Sequence, residues 1–185
     1  MKLYIFICTL FLFTCSANSA SDPLLAVAIM VKNEAPVLAK TLEPFVQTGV
    51  TQFLIYDTGS TDGTIDIAQQ FFNEHHLTDT LIIQEPFIDF AVSRNNALKV
   101  AEKRFAATPF IMMPDAEWYL NNPEQLMALC ALLRQAQDDR EVADAYLLCV
   151  RNQKEQVYRP CLFKTAAHVR FKGSVHEYVA VPVDV

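Results

Sequence analysis

The chain has 185 residues, 52% of them hydrophobic, which suits one globular domain and no more. A formal net charge of −6, with no run of basic residues, argues against nonspecific binding to nucleic acid. Glycine occurs only 4 times, and two of the four fall in one short loop, 57–64.

Residues 1–20 differ from the rest. Lys2 precedes an apolar run, Leu3 to Cys15, interrupted only by Thr9 and Thr14, and Ser16-Ala17-Asn18-Ser19-Ala20 follows. This reads as a signal peptide cleaved after Ala17, Ser19 or Ala20, leaving an exported domain over 21–185. The run falls short of the roughly 20 apolar residues of a comfortable span. The alternatives are an uncleaved anchor, or lipid attachment at Cys15, where Leu12-Phe13-Thr14-Cys15 loosely matches a lipobox. Membrane association would run through this segment alone. Beyond it remain Cys130, Cys149 and Cys161, an odd number without a CxxC pair, so they read as buried small hydrophobes.

From Leu24 onward strand and helix alternate. Leu25–Val31 is a continuous apolar run, as expected of a strand buried on both faces, and Lys32-Asn33-Glu34 ends it. A helix opened by Pro36 carries Leu38, Leu42 and Phe45 on one face, with Pro44 predicting a kink or an early end. Phe53–Tyr56 is the second strand, and a helix with Ile65, Ala68 and Phe72 on one face follows the loop after it. Leu81–Gln84 is the third strand, and Ser93 is the expected cap of a helix bearing Ala97, Val100, Ala101 and Phe105. Phe110–Met113 is the fourth strand, and Pro123 starts a helix with Leu126, Leu129 and Leu133. Ala145–Val150 and Val157–Phe163 read as strands separated by a polar turn. The order predicts an α/β fold with a mostly parallel sheet and right-handed crossovers.

Three constellations carry chemistry. In Asp57-Thr58-Gly59-Ser60-Thr61-Asp62-Gly63-Thr64 a buried strand runs into two carboxylates, two glycines and four hydroxyls. Gly59 and Gly63 allow backbone conformations that a Cβ disfavours and a close ligand approach; Asp57 can accept hydrogen bonds from a base or sugar. Asp62 or Thr64 can cap the next helix, and an ordinary well-capped turn is the competing explanation of the whole loop. In Asp115-Ala116-Glu117 two carboxylates just past a strand can converge on a divalent cation, and oxygen-only ligation suits Mg²⁺ or Mn²⁺. In Phe171-Lys172-Gly173-Ser174-Val175-His176-Glu177, His176 can complete a metal site and Glu177 can take a proton from an acceptor hydroxyl. Arg94-Asn95-Asn96 opens a helix, where a guanidinium beside a helix N-terminus suits a diphosphate.

The ordered set VKNEA (31–35), YDTGSTDGT (56–64), FAVSRNNAL (90–98), MPDAEW (113–118) and FKGSVHEY (171–178) resembles the family 2 glycosyltransferases over roughly Ala26 to Val179. The resemblance implies a GT-A-type open, mostly parallel twisted sheet with helices on both faces. It also implies a nucleotide-sugar donor, a bound Mn²⁺ or Mg²⁺, and transfer with inversion to a glycan, lipid or protein acceptor. By the same resemblance Asn33, Glu34, Asp57 and Asp62, with the loop residues Gly59 and Ser60, surround the nucleoside. Arg94 and Asn95 lie near the diphosphate and Asp115 and Glu117 at the metal, while His176-Glu177 is similar to the late motif near metal and acceptor, with His176 as the candidate metal ligand and Glu177 as the candidate base. Three departures stand out. Thr58 replaces a second Asp, the metal motif is Asp-Ala-Glu with Pro114 before it, and the chain stops soon after Glu177. The last departure implies a minimal acceptor site or a piece of a longer protein. The rival readings are a binding module without turnover, and a sugar nucleotidyltransferase, for which Lys32 is the only lysine in the region of the expected phosphate loop.

Overall fold

A computed structural model describes residues 22–136, 143–151, 156–174 and 177–180. The segment read as a signal peptide, the turn between the last two predicted strands, and His176 lie outside the described residues. No helix among the described residues is long and apolar enough to cross a membrane.

The elements run β1 (Leu25–Val31), α1 (Leu38–Gln47), β2 (Gln52–Asp57), α2 (Thr64–Glu74), β3 (Asp79–Gln84), α3 (Phe90–Arg104), β4 (Phe110–Met112), α4 (Pro123–Gln135), β5 (Ala145–Arg151) and β6 (Gln156–Lys164). A short 3₁₀ turn at Thr165–Ala167 leads to the small strands β7 (Arg170–Lys172) and β8 (Tyr178–Ala180). The main sheet has the order β3-β2-β1-β4-β6-β5, with β1 to β4 parallel and β6 antiparallel to both β4 and β5. The strand and helix sequence predicted this arrangement. Pro44 does not stop α1, which runs on to Gln47.

Alternation along the strands explains why helices cover both faces. In β1, Val27, Ile29 and Val31 point into one core with Leu38 and Phe45 of α1, Phe71 and Phe72 of α2, and Leu126 and Cys130 of α4. Ala26 and Ala28 point into the other, with Ala91, Ala97, Leu98 and Ala101 of α3. Small residues on both sides of this second interface bring α3 close to β1. β1, β2 and β3 step outward in one direction through α1 and α2. The chain then returns across β1 to β4, and keeping the same crossover hand through that reversal moves α3 to the opposite face. The reversal leaves a crevice at the carboxyl ends of β1 and β4, where open α/β sheets bind ligands.

α3 begins earlier than Ser93 suggests. Asp89 is the N-cap, accepting from the Val92 amide at 2.7 Å, and Ser93 Oγ accepts from the Ile88 amide at 3.3 Å. Gly63 has φ −77°, an ordinary value, so of the two loop glycines only Gly59, at φ +102°, occupies a conformation that favours glycine. Cys130 and Cys161 are buried, and burial pushes both thiols up to about 12. Cys149 is exposed, contrary to its sequence reading, because it falls on the outer face of β5, next to the sheet edge.

Asn95 ties the β7–β8 hairpin to α3, alongside the Arg170–Glu102 ion pair. Asn95 Nδ2 donates to the Phe171 carbonyl at 2.8 Å, and Asn95 Oδ1 accepts from the Phe171 amide at 2.8 Å. Asn95→Ala would strand both backbone groups. We expect a loss of about 1–3 kcal/mol in urea unfolding, the cost of leaving buried polar groups without partners.

Candidate active site at the carboxyl edge of the sheet

The loops after β1 and β2 are braided together by side chains of one satisfying backbone donors of the other. Asn33, at φ 59°, donates its amide to Ser60 Oγ at 2.8 Å, and its Oδ1 accepts from the Thr61 amide at 2.8 Å. The Glu34 amide donates to Thr64 Oγ1 at 2.8 Å, and the Ala35 amide to Asp62 Oδ2 at 3.3 Å. Asp62 Oδ1 also accepts from the Thr64 amide at 3.0 Å, so Asp62 fixes the start of α2 as well as the β1 loop. These bonds hold the Asp62 carboxyl below its ordinary value, the Thr64 hydroxyl contributing most.

Asp57 is fully buried. Its oxygens accept from the Gly59 amide at 3.3 Å, the Ser60 amide at 3.1 and 3.2 Å, and the Ser60 hydroxyl. The carboxylate therefore shapes the loop from inside. Thr58 is also buried, and its hydroxyl donates to the Val31 carbonyl at 3.0 Å.

Across the crevice, Asp115-Ala116-Glu117 forms a tight turn closed by the Trp118 amide on the Asp115 carbonyl at 3.1 Å. Two contacts fix the turn that sequence reading missed. Buried Thr41 of α1 donates to the Ala116 carbonyl at 2.5 Å, and the Met113 amide donates to the Cys161 carbonyl of β6 at 2.7 Å. A hydroxyl on the buried face of α1 was the available signal. Glu117 is exposed at the mouth of a cleft of about 910 Å³, also lined by Met112, Trp118, Leu129 and Leu148.

Arg94 projects from the first turns of α3 between two carboxylates. Nη2 lies 2.5 Å from Asp115 Oδ1, and Nε 2.7 Å from Glu177 Oε1. The second contact is an ion pair by distance, since Nε–H is not aligned for a hydrogen bond. The guanidinium also lies over the Phe171 ring, 5.5 Å from its centroid. Burial opposes its charge, but Asp115 and Glu177 outweigh that and raise its proton affinity, so it stays cationic.

Two carboxyls are held above their ordinary range. Glu34 is raised first by burial, then by the charges of Glu117 and Asp62. Glu177 is raised by burial, opposed by Arg94, and raised further by Asp115 and Asp89. Its Oε2 is buried without a hydrogen-bond partner. Glu34, Asp62, Arg94, Asp115, Glu117 and Glu177 thus meet around the crevice, whereas the Asn95 amide is spent on Phe171. Among the described residues no three metal-ligating side chains already converge. Asp115 and Glu117 offer hard oxygen donors, and the negative charge of Glu117 and Asp62 that helps raise Glu34 is of the kind a divalent cation offsets, so the donor types fit Mg²⁺ or Mn²⁺.

No curated protein sequence matches the chain. In fold it is similar to a mannosyltransferase from Pyrobaculum calidifontis in complex with GDP-mannose and Mn²⁺. The TM-score is 0.55 at 21% identity, covering 72% of this chain and 37% of that one. Weaker likenesses are to glucosyl-3-phosphoglycerate synthase from Mycobacterium tuberculosis (TM-score 0.43, 14% identity, 60% of this chain and 39% of that one) and to a 4-diphosphocytidyl-2C-methyl-D-erythritol synthase (TM-score 0.49, 16% identity, 78% and 76%). The chain thus spans well under half the length of the two sugar-transferring enzymes. The sequence profile of Glycosyl transferase family 2 matches residues 26–154, more than half of the chain, and the chain belongs to that family.

Proposed function

We propose that the domain transfers a sugar from a nucleotide-sugar donor to a hydroxyl-bearing acceptor, with a divalent cation and with inversion at the anomeric carbon. The observation that supports this most is the line Asp115–Arg94–Glu177, a diphosphate-compatible cation held between a carboxylate of the metal motif and a half-buried carboxylate suited to be a base. The solved mannosyltransferase of like fold holds GDP-mannose and Mn²⁺, consistent with the same ligand classes here.

In this reading Asn33, Glu34, Asp62 and the loop that Asp57 shapes with Gly59 and Ser60 wall the nucleoside end of the pocket. Arg94 faces the diphosphate. Asp115 and Glu117 would hold Mn²⁺ or Mg²⁺, which when bound supplies neutralisation of charge developing on the leaving diphosphate. His176 follows the same motif as a further candidate ligand. Glu177 accepts the acceptor's proton as its oxygen attacks C1. Burial and neighbouring acids keep Glu177 a better base than an exposed glutamate.

The decisive assay incubates the protein with Mn²⁺ and a panel of nucleotide sugars, and measures nucleoside diphosphate release. Release that Asp115→Ala abolishes supports the assignment. No release, with no metal-dependent nucleotide binding in calorimetry, overturns it; binding without release points to a module without turnover. Glu177→Gln should keep donor binding while slowing transfer about 10²–10⁴-fold, the usual contribution of a positioned base. The pH profile follows from the raised proton affinity of Glu177. The base works deprotonated, so transfer falls as pH drops through an apparent value above the ordinary 4.5. Asp89→Asn removes one raising charge and should move that limb to lower pH.

A further inference from the structure

The groups closest to the expected nucleobase position are largely spent on the protein itself. Asp57 is fully buried with both oxygens accepting from the loop, and the Thr58 hydroxyl faces the Val31 carbonyl. Ser60 Oγ accepts from the Asn33 amide and donates to Asp57, and Asn33 Oδ1 accepts from Thr61. Glu85, just past β3, is also committed, since its carboxylate accepts from the Tyr56 hydroxyl at 2.7 Å.

Gln84 is different. It ends β3 in register with Asp57, so it stands at the same sheet edge, and its side chain is exposed. Its Nε2 donates to Asp57 Oδ2 at 3.4 Å. The Asp57 oxygen accepts here, so this contact orients the amide, with its NH₂ toward Asp57 and Oε1 turned away. One acceptor and one remaining N–H are then presented beside the loop. The orientation descends from the loop amides through Asp57 to Gln84, a chain of bonds that fixes a polar group before any ligand arrives.

We propose that Gln84 is the base-specificity residue of the donor pocket, reading the hydrogen-bonding edge of the nucleobase while Asp57 acts behind it as the positioning residue. The inference rests on the nucleotide-sugar reading above. It assigns to β3 a discrimination that the Asp-Thr pair at 57 and 58 is turned away from.

The test is calorimetry on the full chain with Mn²⁺ and UDP, GDP, ADP or CDP in turn, with inorganic pyrophosphate as the base-free probe. Wild type should prefer one nucleotide. Gln84→Ala and Gln84→Leu should each erode that preference by about tenfold, as expected for one lost base-edge contact, and leave pyrophosphate affinity and the melting temperature unchanged. A preference that survives both substitutions overturns the proposal, as does wild-type binding without any preference. Equal loss of pyrophosphate binding also overturns it, because it assigns Gln84 a structural role. If wild type binds pyrophosphate but no nucleotide, the donor reading itself has failed, an outcome visible before any variant is measured.

Discussion

The pairing of Arg94 with Asp115 and Glu177 is the interaction on which the site depends. It joins three stretches distant in sequence: the opening of α3, the end of β4, and the approach to β8. A guanidinium only 12% exposed is costly to bury alone, and so is each carboxylate. Together they offset one another, and the Phe171 ring covers one face of the cation. The helix that carries Arg94 is brought close to β1 by an alanine-lined interface. Its next residue, Asn95, ties down the strand that includes Phe171. Packing on one face of the sheet therefore fixes a charge on its edge.

The braided loops do the same for the acids. Each bond between the β1 and β2 loops satisfies a backbone donor that the bend would otherwise leave without a partner. The consequence is electrostatic, since the charges of Glu117 and Asp62 add to burial in raising the Glu34 carboxyl. A carboxyl whose folded proton affinity is raised stabilises the fold at low pH. That contribution is complete below the ordinary 4.5 and lost as pH rises through the folded value. At neutral pH Glu34 and Glu177 thus oppose folding, the reverse of a salt-bridged surface acid. Such local cost is typical of sites arranged for ligands rather than for stability.

Much of this was legible in the sequence because it depends on local pattern. Continuous apolar runs marked buried parallel strands, and the Asp115-Ala116-Glu117 acids after β4 fell at the carboxyl edge, where open α/β sheets as a class bind ligands. Features that depend on long-range partner choice were not legible. Nothing in the string shows that Asp57 turns inward to Ser60, that the Asn95 amide finds Phe171, or that Thr41 of α1 supports the Asp115-Ala116-Glu117 turn. Gly63 misled because glycine is common in turns that do not require it, and Cys149 because strand periodicity does not say which face lies outside. Asp89 was overlooked as the cap because a hydroxyl four residues later mimics one.

On the donor reading, one further coupling follows from the charges. Arg94 is the group that lowers the proton affinity of Glu177, against burial and two acids that raise it. A diphosphate arriving at the same guanidinium adds negative charge there and competes with Glu177 for it. Both effects weaken the hold of Arg94 on Glu177 and raise its proton affinity, while the divalent cation of the same reading, at Asp115 and Glu117, would act in the opposite direction. The basicity of Glu177 is thereby tied to the diphosphate and the cation together rather than to either alone.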